Sequence, residues 1–140
     1  MKVTSQPSGA LFDYLLDDEG QFIPQRRAHF NQEMGIISIG FNTLELLTVN
    51  DRTVVQAMTA GRTLGVRRLL ELLNGDNLHT LGELDTKLRC SKLEVRQAIP
   101  VWAREVTGQI EKTWGPRWRR FSQLIIVGGG AILLRELLVE

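Results

Sequence analysis

Cysteine is almost missing from this chain: Cys90 is the only one in 140 residues. A single thiol can close no internal disulfide and build no cysteine-based metal site. Its isolation suits a reducing compartment, so a cytoplasmic location is expected. His29 and His79 stand far apart in the sequence, without carboxylates at ligand spacing, which argues against a metal held by side chains alone. An excess of one charge is lacking too, since 17 basic and 16 acidic residues leave a formal net charge of +1. That balance gives no global pull toward nucleic acid or an acidic substrate. No apolar run reaches the roughly eighteen residues that a membrane span requires. Met1–Pro7 carries no hydrophobic signal core, so neither a membrane partner nor export by the usual route is expected.

What the chain does have is enough length for one domain with a real core, 43% of its residues being hydrophobic. Its organising stretch runs from Gly35 to Val49. An apolar run ends at Gly40, a short polar turn follows, and a second apolar run leaves from Leu44. The pattern predicts a β-hairpin with Gly40, Asn42 and Thr43 at its tip. Gly40 allows close backbone approach, and Thr43 with the free N–H groups can face an anion. An ordinary hairpin in a buried sheet fits the same residues.

Upstream, Val3-Thr4-Ser5 reads as a short strand stopped by Pro7. Ser8 can cap a helix over residues 9–16 that buries Leu11, Leu15 and either Phe12 or Leu16. Asp17-Asp18-Glu19-Gly20 reads as a solvated turn, since it lacks the alternating oxygen ligands of a calcium loop. Residues 21–33 read as a loop or edge segment, with Arg26-Arg27 a solvated pair. After the hairpin, Thr53–Met58 reads as a third strand of an antiparallel meander, and residues 59–65 break the pattern. Val66–Asn74 is helical, with Val66, Leu69, Leu70 and Leu73 on one face. Thr80 can cap a short helix, and Ser91 with Glu94 forms a capping box for a longer one. Pro100 implies a kink there, or a division near Ile99. The helical pattern runs on to Trp114 and stops at Gly115-Pro116.

Trp102, Trp114 and Trp118 alternate with Arg104, Lys112, Arg117, Arg119 and Arg120. Such interleaving can bind single-stranded nucleic acid by stacking. The same spacing fits a helix that buries its indoles and projects its charges. Leu124-Ile125-Ile126-Val127 reads as a central strand buried on both faces, and joining it to residues 3–5 in parallel needs the intervening chain as a crossover. It runs into Gly128-Gly129-Gly130-Ala131 and a helix over Ile132–Val139. Strand, glycine turn and helix N-terminus together favour a phosphate. The turn is neither a Walker loop nor a dinucleotide fingerprint.

Taken in order, these elements resemble the second half of the actin-like ATPases, the superfamily shared with sugar kinases and the large heat-shock chaperones. The plasmid-segregation branch of bacterial actin-like proteins, with its phage and archaeal relatives, is the most similar. Ile36–Leu46 resembles that family's second phosphate motif, apolar-Asp-Ile-Gly-x-x-Thr-x-Asp, and Val127–Ala131 resembles its adenosine motif. Val3–Ala10 resembles the strand and loop that open the second domain, and Thr63–Val66 the turn into its helical subdomain. Ser38 departs from the pattern, standing at the aspartate that acts near Mg²⁺, and Glu45 stands at the later aspartate. No first phosphate motif and no Asp-x-Gly-x-x-x-x-Lys segment is present. The chain begins where the family's second domain begins and ends one helix after the adenosine motif.

The resemblance implies an α/β fold, bordering on α+β, of the ribonuclease-H-like type. Residues 1–58 and 119–140 would form a mixed sheet with flanking helices, and residues 59–118 an inserted helical subdomain. It implies ATP and Mg²⁺ as cofactors. Gly40, Phe41, Asn42 and Thr43 would hold phosphates, and Gly128, Gly129, Gly130, Ala131 and Arg67 would lie along the nucleoside. Gln6 would position the attacking water, and Ser38 would occupy the metal-side position. Partners implied are the absent first domain, further subunits in a polymer, and a DNA-bound adaptor protein. A chain lacking the first domain would bind ATP weakly and hydrolyse it negligibly. Two other classes remain open: a non-catalytic interaction module derived from the actin-like fold, and a nucleic-acid-binding domain using residues 114–120. Half of a sugar or acetate kinase is a further option.

Overall fold

A computed structural model describes residues 6–75, 77–90 and 92–138. The expected strand at residues 3–5 and the Ser91 cap lie outside the described residues. Helix α1 (Gln6–Leu15) and helix α2 (Pro24–Phe30) precede strands β1 (Glu33–Ile39), β2 (Leu44–Asn50), β3 (Thr53–Val54) and β4 (Ala60–Arg62). Helices α3 (Val66–Leu73), α4 (Leu81–Arg89) and α5 (Ile99–Trp114) follow, then β5 (Gln123–Val127) and α6 (Gly129–Leu138). The result is a mixed α/β fold. The sheet runs β3-β2-β1-β5, with β4 also on β2. β1 and β2 pair antiparallel from Glu33↔Asn50 to Ile39↔Leu44, whereas β5 lies parallel to β1.

The organising hairpin is therefore present, with Gly40–Thr43 at its tip. Every position of β1 is buried, because its two faces meet two separate cores. Met34 and Ile36 join Leu47 and Val49 against Leu11 and Leu15 of α1. Ile37 and Ile39 join Leu44 and Leu46 against the helical layer of α3, α4 and α5. Alternation along a strand makes this division automatic.

The structure corrects the sequence reading in several places. α1 spans Gln6–Leu15, so Pro7 and Ser8 both lie inside the helix rather than ahead of it. Of the two alternatives for its third buried position, Phe12 is exposed and Leu16 half-buried. Pro24 likewise opens α2 within the segment read as a loop. Arg26 there donates to the Tyr14 carbonyl at 2.9 Å and lies over the Tyr14 ring, so the Arg26-Arg27 pair is not simply solvated. The third strand is split: β3 pairs with Val49 and Asn50, a 3₁₀ turn spans Gln56–Met58, and β4 resumes beside Leu44–Leu46.

Of the two outcomes expected at Pro100, the break near Ile99 is the one found: α5 starts at Ile99 with Pro100 in its first turn, though residues 92–98 before it are not helical. Glu94 there accepts from the Arg96 N–H at 2.8 Å. The Thr80 cap does form, with Glu83 completing the reciprocal box. β5 is the largest correction. Among the described strands it is at the sheet edge, and its side chains alternate between half-buried and exposed, Ile126 being 55% exposed. The burial on both faces expected of it belongs to β1.

α5 is fastened at both ends. Near its start, buried Trp102 donates from Nε1 to the Leu64 carbonyl at 2.8 Å. At its end, Trp114 Nε1 donates to Thr48 Oγ1 at 2.8 Å, and Thr48 Oγ1 donates to the Met58 carbonyl at 2.6 Å. Between them Arg68 of α3 grips Glu105 with two bonds of 2.8 Å. Those bonds hold the Glu105 carboxyl below its ordinary 4.5, against the opposing effect of burial, and raise Arg68.

A carboxyl with a lowered folded pKa stabilises fully above its unfolded value and loses that contribution as pH falls through the folded one. Denaturant titrations from about pH 5 to about pH 3 should therefore show wild type losing more stability than Glu105→Gln. The difference should be about 1 kcal/mol or less, as for a half-exposed pair. Parallel pH profiles would show that the pair contributes nothing.

Candidate functional site

The site begins with the peptide groups of the hairpin tip. The Gly40, Phe41 and Asn42 carbonyls accept from the N–H groups of Val66, Arg67 and Gly65 at 3.0, 2.7 and 3.3 Å. The hairpin thereby supplies the N-terminal cap of α3, which has no side-chain cap. Gly65 makes this possible: a Cβ there would strike the Gly40 and Phe41 carbonyl oxygens. A trans peptide holds its C=O and N–H in opposite directions. With three successive carbonyls turned to α3, the N–H groups of Phe41, Asn42 and Thr43 turn away from it. Among the described residues they donate no backbone hydrogen bond.

The glycine turn lies beside this tip. Parallel pairing of Ser38 with Val127 carries Gly128 alongside Ile39. Gly128 has φ +103°, and a Cβ on it would collide with the Ile39 carbonyl. A Cβ on Gly130 would collide with the Ile39 side chain, whereas one on Gly129 would meet nothing within 4 Å. The helix begins at Gly129, three residues before the expected Ile132, so two glycines occupy its first turn. The Ala131 and Ile132 N–H groups bond back to the Gly128 carbonyl at 3.1 and 3.2 Å. Those of Gly129 and Gly130 donate no such bond among the described residues. Two sets of bare N–H groups, one at a helix N-terminus, thus stand on neighbouring strand ends.

A cavity of about 410 Å³ opens beside them, lined by Phe41, Val66, Gly129 and Gly130, by Ile132 and Leu133 of α6, and by Asp85, Leu88 and Arg89 of α4. That volume lies within the roughly 300–1,000 Å³ typical of small-molecule sites. It brings together Phe41, Gly129 and Gly130 from the expected set. Ala131 packs half-buried against the core. Arg67 is outside the lining, its guanidinium 3.2 Å from Glu71, though its N–H bonds the hairpin. The Thr43 hydroxyl donates to Glu45 at 3.3 Å. The Gln6 side chain lies outside the described residues.

Ser38 is buried directly opposite Glu45 in the hairpin register. A magnesium ion favours carboxylate oxygens. Ser38 supplies no charge, and the described residues contain no group of three or more metal-binding side chains.

The sequence reading missed the α4 residues. Periodicity located that helix, but nothing local says which end of the sheet it approaches. The Trp/Arg segment is also taken apart. Trp114 is buried, Arg117 and Arg120 both approach buried Glu33 at 3.4 and 3.2 Å, and Trp118 remains 50% exposed with Arg119 over its ring. One exposed ring is a poor stacking platform, so nucleic acid is not favoured. No described helix is long and apolar enough to cross a membrane.

This arrangement defines the fold as that of part of an actin-like protein. The chain superposes on the apo ParM protein of psk41 with a TM-score of 0.70 at 19% identity, covering 96% of this chain and 40% of that one. Ta0583, an archaeal actin homolog, gives 0.68 at 18%, covering 96% and 45%; its complex with ADP gives 0.57 at 16%, covering 94% and 47%. The Alp12 filament structure gives 0.61 at 19%, covering 94% and 43%. The chain thus spans less than half the length of these structures. No protein-family model and no curated protein matches the sequence.

Proposed function

We propose that this chain is the nucleotide-binding second domain of an actin-like, filament-forming ATPase of the plasmid-segregation or cytoskeletal type. The observation that carries the reading is the seating of the Gly128–Gly130 turn against Ile39, beside a hairpin tip with three bare N–H groups. Residues 1–58 and 119–140 form the sheet subdomain in this reading, and residues 59–118 the helical insert. The N–H groups of Phe41, Asn42 and Thr43, with room left by Gly40, take the β- and γ-phosphates of ATP. Gly128–Ala131 passes the α-phosphate and ribose, and the cavity takes the base. Gln6 orients water, and Arg67 stands by the nucleotide through its helix.

Support comes from the solved neighbours: one is an ADP complex and one a filament. By the same analogy, partners are a first domain, further subunits and a DNA-bound adaptor, in the cytoplasm. Phosphoryl transfer depends on positioning and on a metal. Ser38 offers such a metal no negative charge at the position the resemblance assigns to it. The isolated chain therefore binds ATP weakly and turns it over negligibly. ATP turnover that depends on Gln6 in these 140 residues would overturn the last statement.

Calorimetric titration with ADP tests the binding itself. Gly129→Val adds bulk where a Cβ meets nothing, so its melting temperature should stay near that of wild type. Its affinity for ADP should fall roughly tenfold or more, through lost close approach to the phosphates. Absence of binding of both ADP and GDP to wild type at millimolar concentration sinks the reading.

A further inference from the structure

The cavity has one charged wall. Phe41, Val66, Leu88 and Leu133 make it apolar elsewhere, while Asp85 and Arg89 are its charged residues. They sit one turn apart on α4, with Arg89 Nε 3.1 Å from Asp85 Oδ2; the Asp85 side chain is 24% exposed and that of Arg89 77%. Asp85 Oδ1 makes no hydrogen bond among the described residues. Surface pairs of this spacing are common, but this one lines the same cavity as Gly129 and Gly130 of the glycine turn.

An ionised carboxylate only accepts hydrogen bonds, and a guanidinium only donates them. Guanine presents O6, N1–H and N2–H₂ side by side on one edge. Its two donors match the two oxygens of Asp85, and its O6 matches Arg89. Adenine offers one amino group on that edge, followed by the N1 lone pair, which an aspartate repels. We propose that Asp85 and Arg89 read the base of the bound nucleotide and favour guanine over adenine. The inference rests on the nucleotide-binding reading above and adds the base class to it. Arg89 is mobile enough to leave Asp85 for O6, because an exposed ion pair at this spacing holds it only weakly.

The test measures binding of fluorescent GDP, ADP and xanthosine diphosphate to wild type and to Asp85→Asn. Wild type should bind GDP roughly tenfold more tightly than ADP, the scale of one bidentate base contact. Asp85→Asn should lose that preference and gain affinity for xanthosine diphosphate, whose 2-oxo group accepts from the new amide. A gain cannot come from misfolding. Binding of both natural nucleotides without preference, or with ADP tighter, overturns this inference and leaves the nucleotide-binding reading standing. The same holds if the preference survives Asp85→Asn. Binding of none of the three overturns both.

Discussion

Trp102→Ala should remove most of the stability of this fold. The indole is fully buried (0% exposed) in the core that joins the sheet to the helical layer. Truncating a buried tryptophan costs about 3–5 kcal/mol, and domains of this size are stable by only about 5–15 kcal/mol. The variant also leaves the Leu64 carbonyl without its 2.8 Å donor, just before the turn that enters α3. Trp102→Phe separates the two effects, since it keeps most of the ring and loses only the N–H. Urea unfolding should rank wild type above Trp102→Phe, and that variant well above Trp102→Ala. An alanine variant within about 1 kcal/mol of wild type would mean that α5 does not anchor the layer as described.

Gly128→Ala should be nearly as damaging and Gly129→Ala almost silent, although the two glycines are neighbours. At φ +103° an alanine is strained, and its Cβ would meet the Ile39 carbonyl, backbone that cannot swing aside. Backbone strain of about 1–3 kcal/mol adds to an overpacking cost of similar size. Gly129 is in the first helical turn and faces open space. Alanine there relieves the entropy that glycine loses in a helix, a gain of up to about 1 kcal/mol. Thermal melts of the two variants make the comparison directly. Equal melting temperatures would remove the argument that the Gly128 turn is pressed onto β1.

The hairpin, α3, the capped α4 and the end of α5 were legible because each carries a local device. These are alternation around a turn, a repeated apolar face, the Thr80–Glu83 box and Gly115-Pro116. The nearness of Gly40 to Gly128 was visible only through the ordered resemblance, since parallel pairing across so long a crossover leaves no local mark. What failed has a physical cause in each case. Residues 21–33 were read as a loop or edge segment, yet Pro24 opens a helix there, where its missing N–H costs nothing. Leu124–Val127 is apolar throughout, yet composition alone does not say how far each face of a strand is covered. The longer helix expected after Ser91 does not form over residues 92–98, where Glu94 takes the Arg96 N–H in a turn, a local bond that competes with a helix. Nothing local sets Asp85 and Arg89 apart, and only the packing of α4 gives them a cavity to face.

The peptide groups of the hairpin tip have one more consequence. Each of the three that caps α3 through its oxygen offers its N–H on the opposite side. Charge drawn toward an anion at the N–H polarises the whole amide, making its oxygen a stronger acceptor for the helix behind it. A ligand bound on the outer side therefore tightens the joint between sheet and helices without touching it. Amide exchange at Gly65, Val66 and Arg67 would then slow when phosphate binds on the far side of Gly40–Thr43. The tip would act as an electrical relay only one peptide thick.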